Sequence, residues 1–253
     1  MTKATYPDLK RRSVFISGGA TGIGEHLVRA FAAQGAHTGF VDIDAGTGKT
    51  LAAEVIAAGY SAHFEQCDIT DTPRYQAAIR ASAARFGPVT ALLNNAANDK
   101  RHKLTDLTPE GFDAHIAVNL KHAVFAAQTV APMMAMAGGG SIINFGSVSW
   151  MIPQGGFPSY ATAKAATHGL TRTLARDLGG DNIRVNTLVP GWVMTEKQRR
   201  LWLDEAGKKA IAENQLLQGE LLPEHIADMA LFLASDASAM CTSQNFIVDG
   251  GWV

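Results

Sequence analysis

Short apolar runs alternate along the chain with longer segments in which apolar positions recur every three or four residues. Ser13–Ser17 (SVFIS) is a compact apolar run ending in glycines, and it reads as a buried strand. Ile23, Leu27 and Phe31 then fall at four-residue spacing, which is one face of a helix. Further strands are predicted at Thr38–Val41, Ala62–Glu65, Val89–Leu93, Ser141–Phe145, Arg184–Val189 and Phe246–Val248. Helical patterns fill the gaps, at roughly 48–58, 72–86, 110–136, 159–178 and 223–234. Repeated βα alternation predicts an α/β fold: one domain with a mainly parallel, doubly wound sheet covered by helices on both faces. Ligands are then expected at the carboxyl ends of the strands. The segment Thr195–Gly219 departs from the alternation. It is amphipathic, rich in charge and placed where a lid could sit.

Composition narrows the function classes. With 253 residues and 47% hydrophobic content the chain can bury one large core. Its net charge is -1 and its 22 Lys and Arg are scattered, so no nucleic-acid partner is expected. Cys67 and Cys241 form no CxxC pair and read as reduced thiols. The opening MTKATYPDLKRR has no apolar stretch behind its basic residues, so it is not expected to be a signal peptide. Ala123–Ala137 is too short to span a bilayer, and a cytoplasmic protein is expected. The eight histidines show no HExxH-type spacing, so no metal is expected.

The first strand runs into Gly18-x-x-x-Gly22-x-Gly24, which also contains Thr21 and Ile23 and opens the first helix. Glycines allow a tight turn and close approach to a pyrophosphate, and a helix N-terminus supplies free N–H groups for it. Asp42 ends the second strand, 18 residues after Gly24. A carboxylate there can accept the adenosine ribose hydroxyls and repel a 2′-phosphate. Thr21 and Ile43, the places for a phosphate-pairing cation, are neutral, and so NAD is favoured over NADP. Asp68, before Ile69, could meet the adenine edge, or it could cap the next helix. Asn94-Asn95-Ala96-Ala97 follows the fourth strand and suits a backbone packed against the cofactor.

Tyr160 and Lys164 lie four apart in a helical pattern and so share one face. A phenol ionises near 10 and is a poor base at neutral pH unless a cation stabilises the phenolate. Lys164 is the expected cation, together with the positive nicotinamide ring. Ser147 lies 13 residues before Tyr160 at a strand end, where its hydroxyl could hold a substrate oxygen; Ser149 is the rival serine. Asn119 on the preceding helix could hold a water linking Lys164 to solvent. Asn98, Asp99, Arg101 and His102 form a polar cluster where a hydroxyl-rich ligand could be held. Trp150 and Trp192 offer flat faces for a ring. A solvated loop and packing tryptophans are the alternative readings.

The glycine loop, Asn94-Asn95-Ala96, Asn119, Ser147, Tyr160-x-x-x-Lys164 and Pro190-Gly191 resemble, in order, the short-chain dehydrogenase/reductases across nearly the whole chain. The resemblance implies a Rossmann-type sheet of about seven strands and an Asn119–Ser147–Tyr160–Lys164 tetrad. It implies that Lys164 binds the nicotinamide ribose, and that Val193 and Thr195 hold the carboxamide and pyrophosphate end. It also suggests a homotetramer. Ala97 departs from the pattern, where the family usually has Gly. Asn94–Lys103, Val118–His122, Ile142–Trp150 and Leu233–Trp252 are similar to bacterial NAD-dependent aldose 1-dehydrogenases of the D-xylose, L-arabinose and D-galactose type. That resemblance implies oxidation of a cyclic aldose at C1, with Asn98, His102, Ser147, Ser149, Trp150, Gln154, Tyr160 and Trp192 around the sugar. A 3-oxoacyl-carrier-protein reductase and a polyol or secondary-alcohol dehydrogenase are the alternatives on the same scaffold. A non-catalytic nucleotide sensor is a further one, although all four tetrad positions are filled.

Overall fold

The computed structural model describes residues 3–253. Apolar runs without alternation produce strands buried on both faces, as in Ser13–Ser17 (β1), where every residue is buried. Its side chains divide by parity. Val14 and Ile16 join Leu27 and Phe31 on one side of the sheet, and Phe15 joins Tyr75 and Ile79 on the other. The remaining strands are β2 (His37–Asp42), β3 (Ser61–Gln66), β4 (Ala91–Asn94), β5 (Gly140–Phe145), β6 (Ile183–Pro190) and β7 (Asn245–Val248). They form one seven-stranded sheet in the order 3-2-1-4-5-6-7, with every pair parallel.

The order reverses between β1 and β4, which opens a crevice at their carboxyl ends. The helices α1 (Gly22–Ala33), α2 (Ala45–Ala57) and α3 (Thr72–Phe86) link the first four strands. The one long helix expected over 110–136 is divided. It consists of α4 (Pro109–Ile116), a π-helical segment Ala117–Lys121 and α5 (His122–Met136). The interruption centres on Asn119, whose amide bonds Asn98 and the His115 carbonyl, a side-chain intrusion that 3.6-residue periodicity does not reveal. Then come α6 (Pro158–Leu178), α7 (Glu196–Leu201), α8 (Glu205–Asn214) and α9 (Pro223–Ala234). The charged segment Thr195–Gly219 thus holds two short helices. No helix among the described residues is long and apolar enough to cross a membrane.

A buried polar chain ties the centre of the sheet to α6. Asn94 Nδ2 donates to Asn144 Oδ1 (2.8 Å), and Asn144 Nδ2 donates to Thr171 Oγ1 (2.9 Å). Thr187 Oγ1 donates to the same Thr171 oxygen (2.8 Å). Asn144 is fully buried, so replacing it leaves partners with no water to turn to. We expect Asn144→Leu to cost about 1–3 kcal/mol for each orphaned group, measured by urea unfolding. An unchanged midpoint would show that the chain contributes nothing net.

Candidate active site

A cavity of about 1060 Å³, counted to its open mouth, lies at the carboxyl ends of the strands beside the switch point. Its wall includes Ile23 from α1, Asn95 and Ala97 after β4, Ser147 and Ser149 after β5, Tyr160 and Lys164 on α6, and Pro190, Gly191, Val193 and Thr195 after β6.

The glycine loop fits a pyrophosphate because side chains are excluded there. Gly18 has φ +65°, and a Cβ on it would stand 2.8 Å from the Ala96 Cα. A Cβ on Gly24 would meet the Gly18 carbonyl at 1.8 Å. The loop is held from the β4 side: Asn95 Nδ2 donates to the carbonyls of Ser17 and Gly18 (both 3.0 Å), and Ser17 Oγ accepts from the backbone N–H of Asn95 and Ala96. Across from Gly22 lies Thr195, whose Oγ1 caps α7. Asp42 Oδ2 accepts from Ala20 N (3.0 Å) and Oδ1 from Asp44 N (3.1 Å), which leaves further lone pairs open on each oxygen. Beside it Ile43 is exposed, a loose apolar residue next to the crevice. These features suit a dinucleotide. Ala97 is exposed on the cavity wall.

Asp68 is exposed just beyond the end of β3. Its Oδ1 accepts from the N–H and hydroxyl of Thr70 (both 2.8 Å), and the cap of α3 is Asp71. The Ile69 side chain is buried with Cys67 and Tyr75.

Residues 147, 160 and 164 meet because β5 ends where α6 begins to cross it. Lys164 is 2% exposed, and its Nζ donates to the Phe145 carbonyl (2.7 Å). Burial pulls its ammonium down to about 8. The Lys164 Nζ stands 5.7 Å from the centre of the Tyr160 ring. In the chain alone, without the nicotinamide charge on which the expected lowering also rests, burial pushes the phenol up to about 12, against a hydrogen bond with Ser147 that lowers it. Asp99 raises it further and Arg101 lowers it. Asn119 does not line the cavity. Its amide oxygen accepts from Asn98 N (2.8 Å), and its Nδ2 donates to Asn98 O and His115 O, so both amide N–H groups are used while one lone pair stays open on the oxygen.

Three residues expected around a sugar, Asn98, His102 and Trp150, are not part of the cavity wall and have other partners. Asn98 is an anchor for Asn119 and accepts from Lys100 N. His102 and His115 both bond Ser159 Oγ, at 2.8 and 2.7 Å, one residue before Tyr160. Trp150 donates to His168 Nε2 (3.0 Å) and stacks edge-on against that ring. By contrast Ser149, Gln154 and Trp192 do line the cavity, and the buried Ser149 Oγ has no partner among the described residues. The wall also contains Asp99, Arg101, Phe157, Gln198 and Trp252. Asp99 and Arg101 stand out in the sequence as polar residues of one loop, but nothing there separates them from Asn98 and His102. Asp99 binds Lys197 and Gln198 of α7, and Trp192 Nε1 donates to the Gln198 oxygen (3.0 Å).

The comparisons agree with this architecture. The profile of the family described as enoyl-(acyl carrier protein) reductase matches residues 18–253. The chain is 45% identical over 252 residues to a Rhizobium meliloti protein named "Probable galactose dehydrogenase", covering 99% of this chain and 98% of that one. It is 44% identical to the D-xylose 1-dehydrogenase of Caulobacter vibrioides over the full length of both. Among solved structures, a 3-oxoacyl (acyl-carrier-protein) reductase of Agrobacterium tumefaciens with NADP bound superposes with a TM-score of 0.88 at 30% identity, covering 96% of this chain and 95% of that one. The chain therefore belongs to the short-chain dehydrogenase/reductase family, oxidoreductases that act on CH–OH groups with NAD(P).

The buried ammonium has a thermodynamic signature. Its folded value of about 8 lies below the unfolded value of about 10.4, so between them the unfolded chain holds the extra proton. Stability of the cofactor-free protein relative to Lys164→Met should therefore rise with pH across that window, by at most roughly 1.4 kcal/mol per pH unit. Paired denaturant titrations from pH 7 to 10 measure it; a flat difference would place the lysine's ionisation outside the window.

Proposed function

We propose that the protein oxidises a cyclic aldose, a pentose or galactose-like hexose, at C1 to its lactone with NAD. The observation that carries this is the convergence of Ser147, Tyr160 and Lys164 on one cavity walled by Trp192 and Trp252, in a chain whose full-length relatives bear the names of galactose and xylose dehydrogenases. Ser147 Oγ holds the anomeric oxygen beside the phenol. Tyr160 in its phenolate form takes the anomeric hydroxyl proton as the C1–O bond becomes a carbonyl. The cofactor, when bound, supplies the acceptor for the C1 hydride and a positive charge near the phenol. Lys164, anchored on Phe145, orients the nicotinamide ribose, and Asn119 fixes the backbone of the loop after β4. Because the phenol sits at about 12 in the chain alone, ionisation of Tyr160 at working pH is coupled to the loaded site.

Ser149, Gln154 and Trp192 supply sugar contacts, and a site built to pair several hydroxyls rejects ligands lacking them. The segment Thr195–Gly219, tied to Asp99 through α7, covers the sugar and excludes water. The family resemblance supports a homotetramer, and the cytoplasm is its compartment in this reading.

Turnover of D-xylose, L-arabinose, D-galactose and L-fucose should exceed that of xylitol, 2-butanol and a 3-hydroxyacyl thioester, each with NAD+. A preference for the thioester or the simple alcohol would discard the aldose assignment. Tyr160→Phe should lower kcat by about 10²–10⁴-fold or more while NADH affinity changes little.

Asp42, beside the exposed Ile43, supports NAD over NADP. Asp42→Ala should relax exclusion of NADP, and adding Ile43→Arg should improve NADP use further by pairing the 2′-phosphate. The comparison is kcat/KM for the two cofactors in each variant. An unaltered enzyme that already prefers NADP would remove Asp42 from cofactor choice.

A further inference from the structure

The charged groups of the cavity wall differ in what they are already doing. Lys164 is committed to Phe145, and Asp99 to Lys197 and Gln198. Arg101 has no hydrogen bond or ion pair among the described residues. Its guanidinium lies over the Phe157 ring at 4.1 Å and over the Trp202 ring at 5.1 Å. Stacking of this kind occupies the faces of the cation and leaves the N–H donors in its plane available. The stack also fixes its position relative to the reacting centre, because Phe157 packs edge-on against Tyr160 with ring centres 5.7 Å apart.

Resting on the aldose reading above, we propose that Arg101 is a specificity-determining residue that donates its in-plane N–H groups to ring hydroxyls of the sugar. A guanidinium presents donors as a fork, which matches two neighbouring hydroxyl oxygens on a ring. Asp99 shares the wall and is already paired with Lys197, so the acceptor is taken from the aldose reading as neutral ring hydroxyls, and a ligand carboxylate is an outcome of the test. Arg101 loses part of its solvation in this setting, and that loss is made good when a ligand oxygen arrives.

The test is a substrate cycle. Arg101→Met and Arg101→Lys are compared with the unaltered enzyme on D-galactose and its 2-, 3-, 4- and 6-deoxy forms. Arg101→Met should raise the sugar KM by about tenfold or more, with cofactor KM within about twofold, and Arg101→Lys should recover part of the loss. Removing the paired hydroxyl should cost the unaltered enzyme about tenfold in kcat/KM and Arg101→Met less than about threefold. Deoxy losses that run parallel in all three enzymes would overturn the assignment of Arg101 while leaving aldose oxidation standing. A preference for D-galacturonate over D-galactose that disappears in Arg101→Met would also overturn it, since the ligand group would then be a carboxylate. Absence of turnover on every aldose removes the parent reading and this one with it. If Arg101→Met does not fold, the same cycle run on Arg101→Lys decides, through the same loss of the fork.

Discussion

The bond from the Lys164 ammonium to the Phe145 carbonyl is the contact on which the geometry of the site turns. It places a cation inside a sheet–helix interface, where burial makes the charge costly and one strong acceptor must compensate. Phe145 is the last residue of β5, so α6 is held at the point where the chain leaves the sheet toward Ser147. One turn back along α6 lies Tyr160, and its distance from Ser147 follows from that docking. The Asn94–Asn144–Thr171–Thr187 chain reinforces the same junction from below.

This arrangement is expensive in stability and useful for chemistry. Burial pushes the phenol up to about 12 and the ammonium down to about 8, disfavouring the charged form of each in the chain alone. Electrostatic work left undone by the protein is then available to the ligands that complete the site. Arg101 follows the same logic on the other wall: a cation fixed by aromatic faces, with its polar edge unpaired.

The loop after β4 distributes the constraints. Asn95 grips the glycine loop, Asn98 is gripped by Asn119, Asp99 ties down α7, and His102 bonds the start of α6 through Ser159. His115 joins two of these, with its ring on Ser159 and its carbonyl on the Asn119 amide. A single stretch of eight residues, 95–102, therefore touches both ligand halves of the crevice and the helix that carries Tyr160.

All seven strands were legible in the sequence as short segments between helical patterns, most clearly β1, an apolar run buried throughout that leaves into glycines. The glycine loop and the pairing of Tyr160 with Lys164 were legible for the same reason: tight turns and four-residue spacing are decided within a few residues. Family membership rested on the order of such motifs. What each polar side chain does was not legible. Asn98, Asp99, Arg101 and His102 look equivalent along the chain, yet Asn98 holds Asn119 through its backbone, His102 bonds Ser159, and Asp99 and Arg101 reach the cavity wall. Trp252, Phe157 and Gln198 reach the cavity from distant segments, and Trp150 is drawn away by His168. The direction of the Tyr160 shift in the chain alone also needed the tertiary structure, because spacing shows that a lysine is near but not how much water burial removes from the phenol.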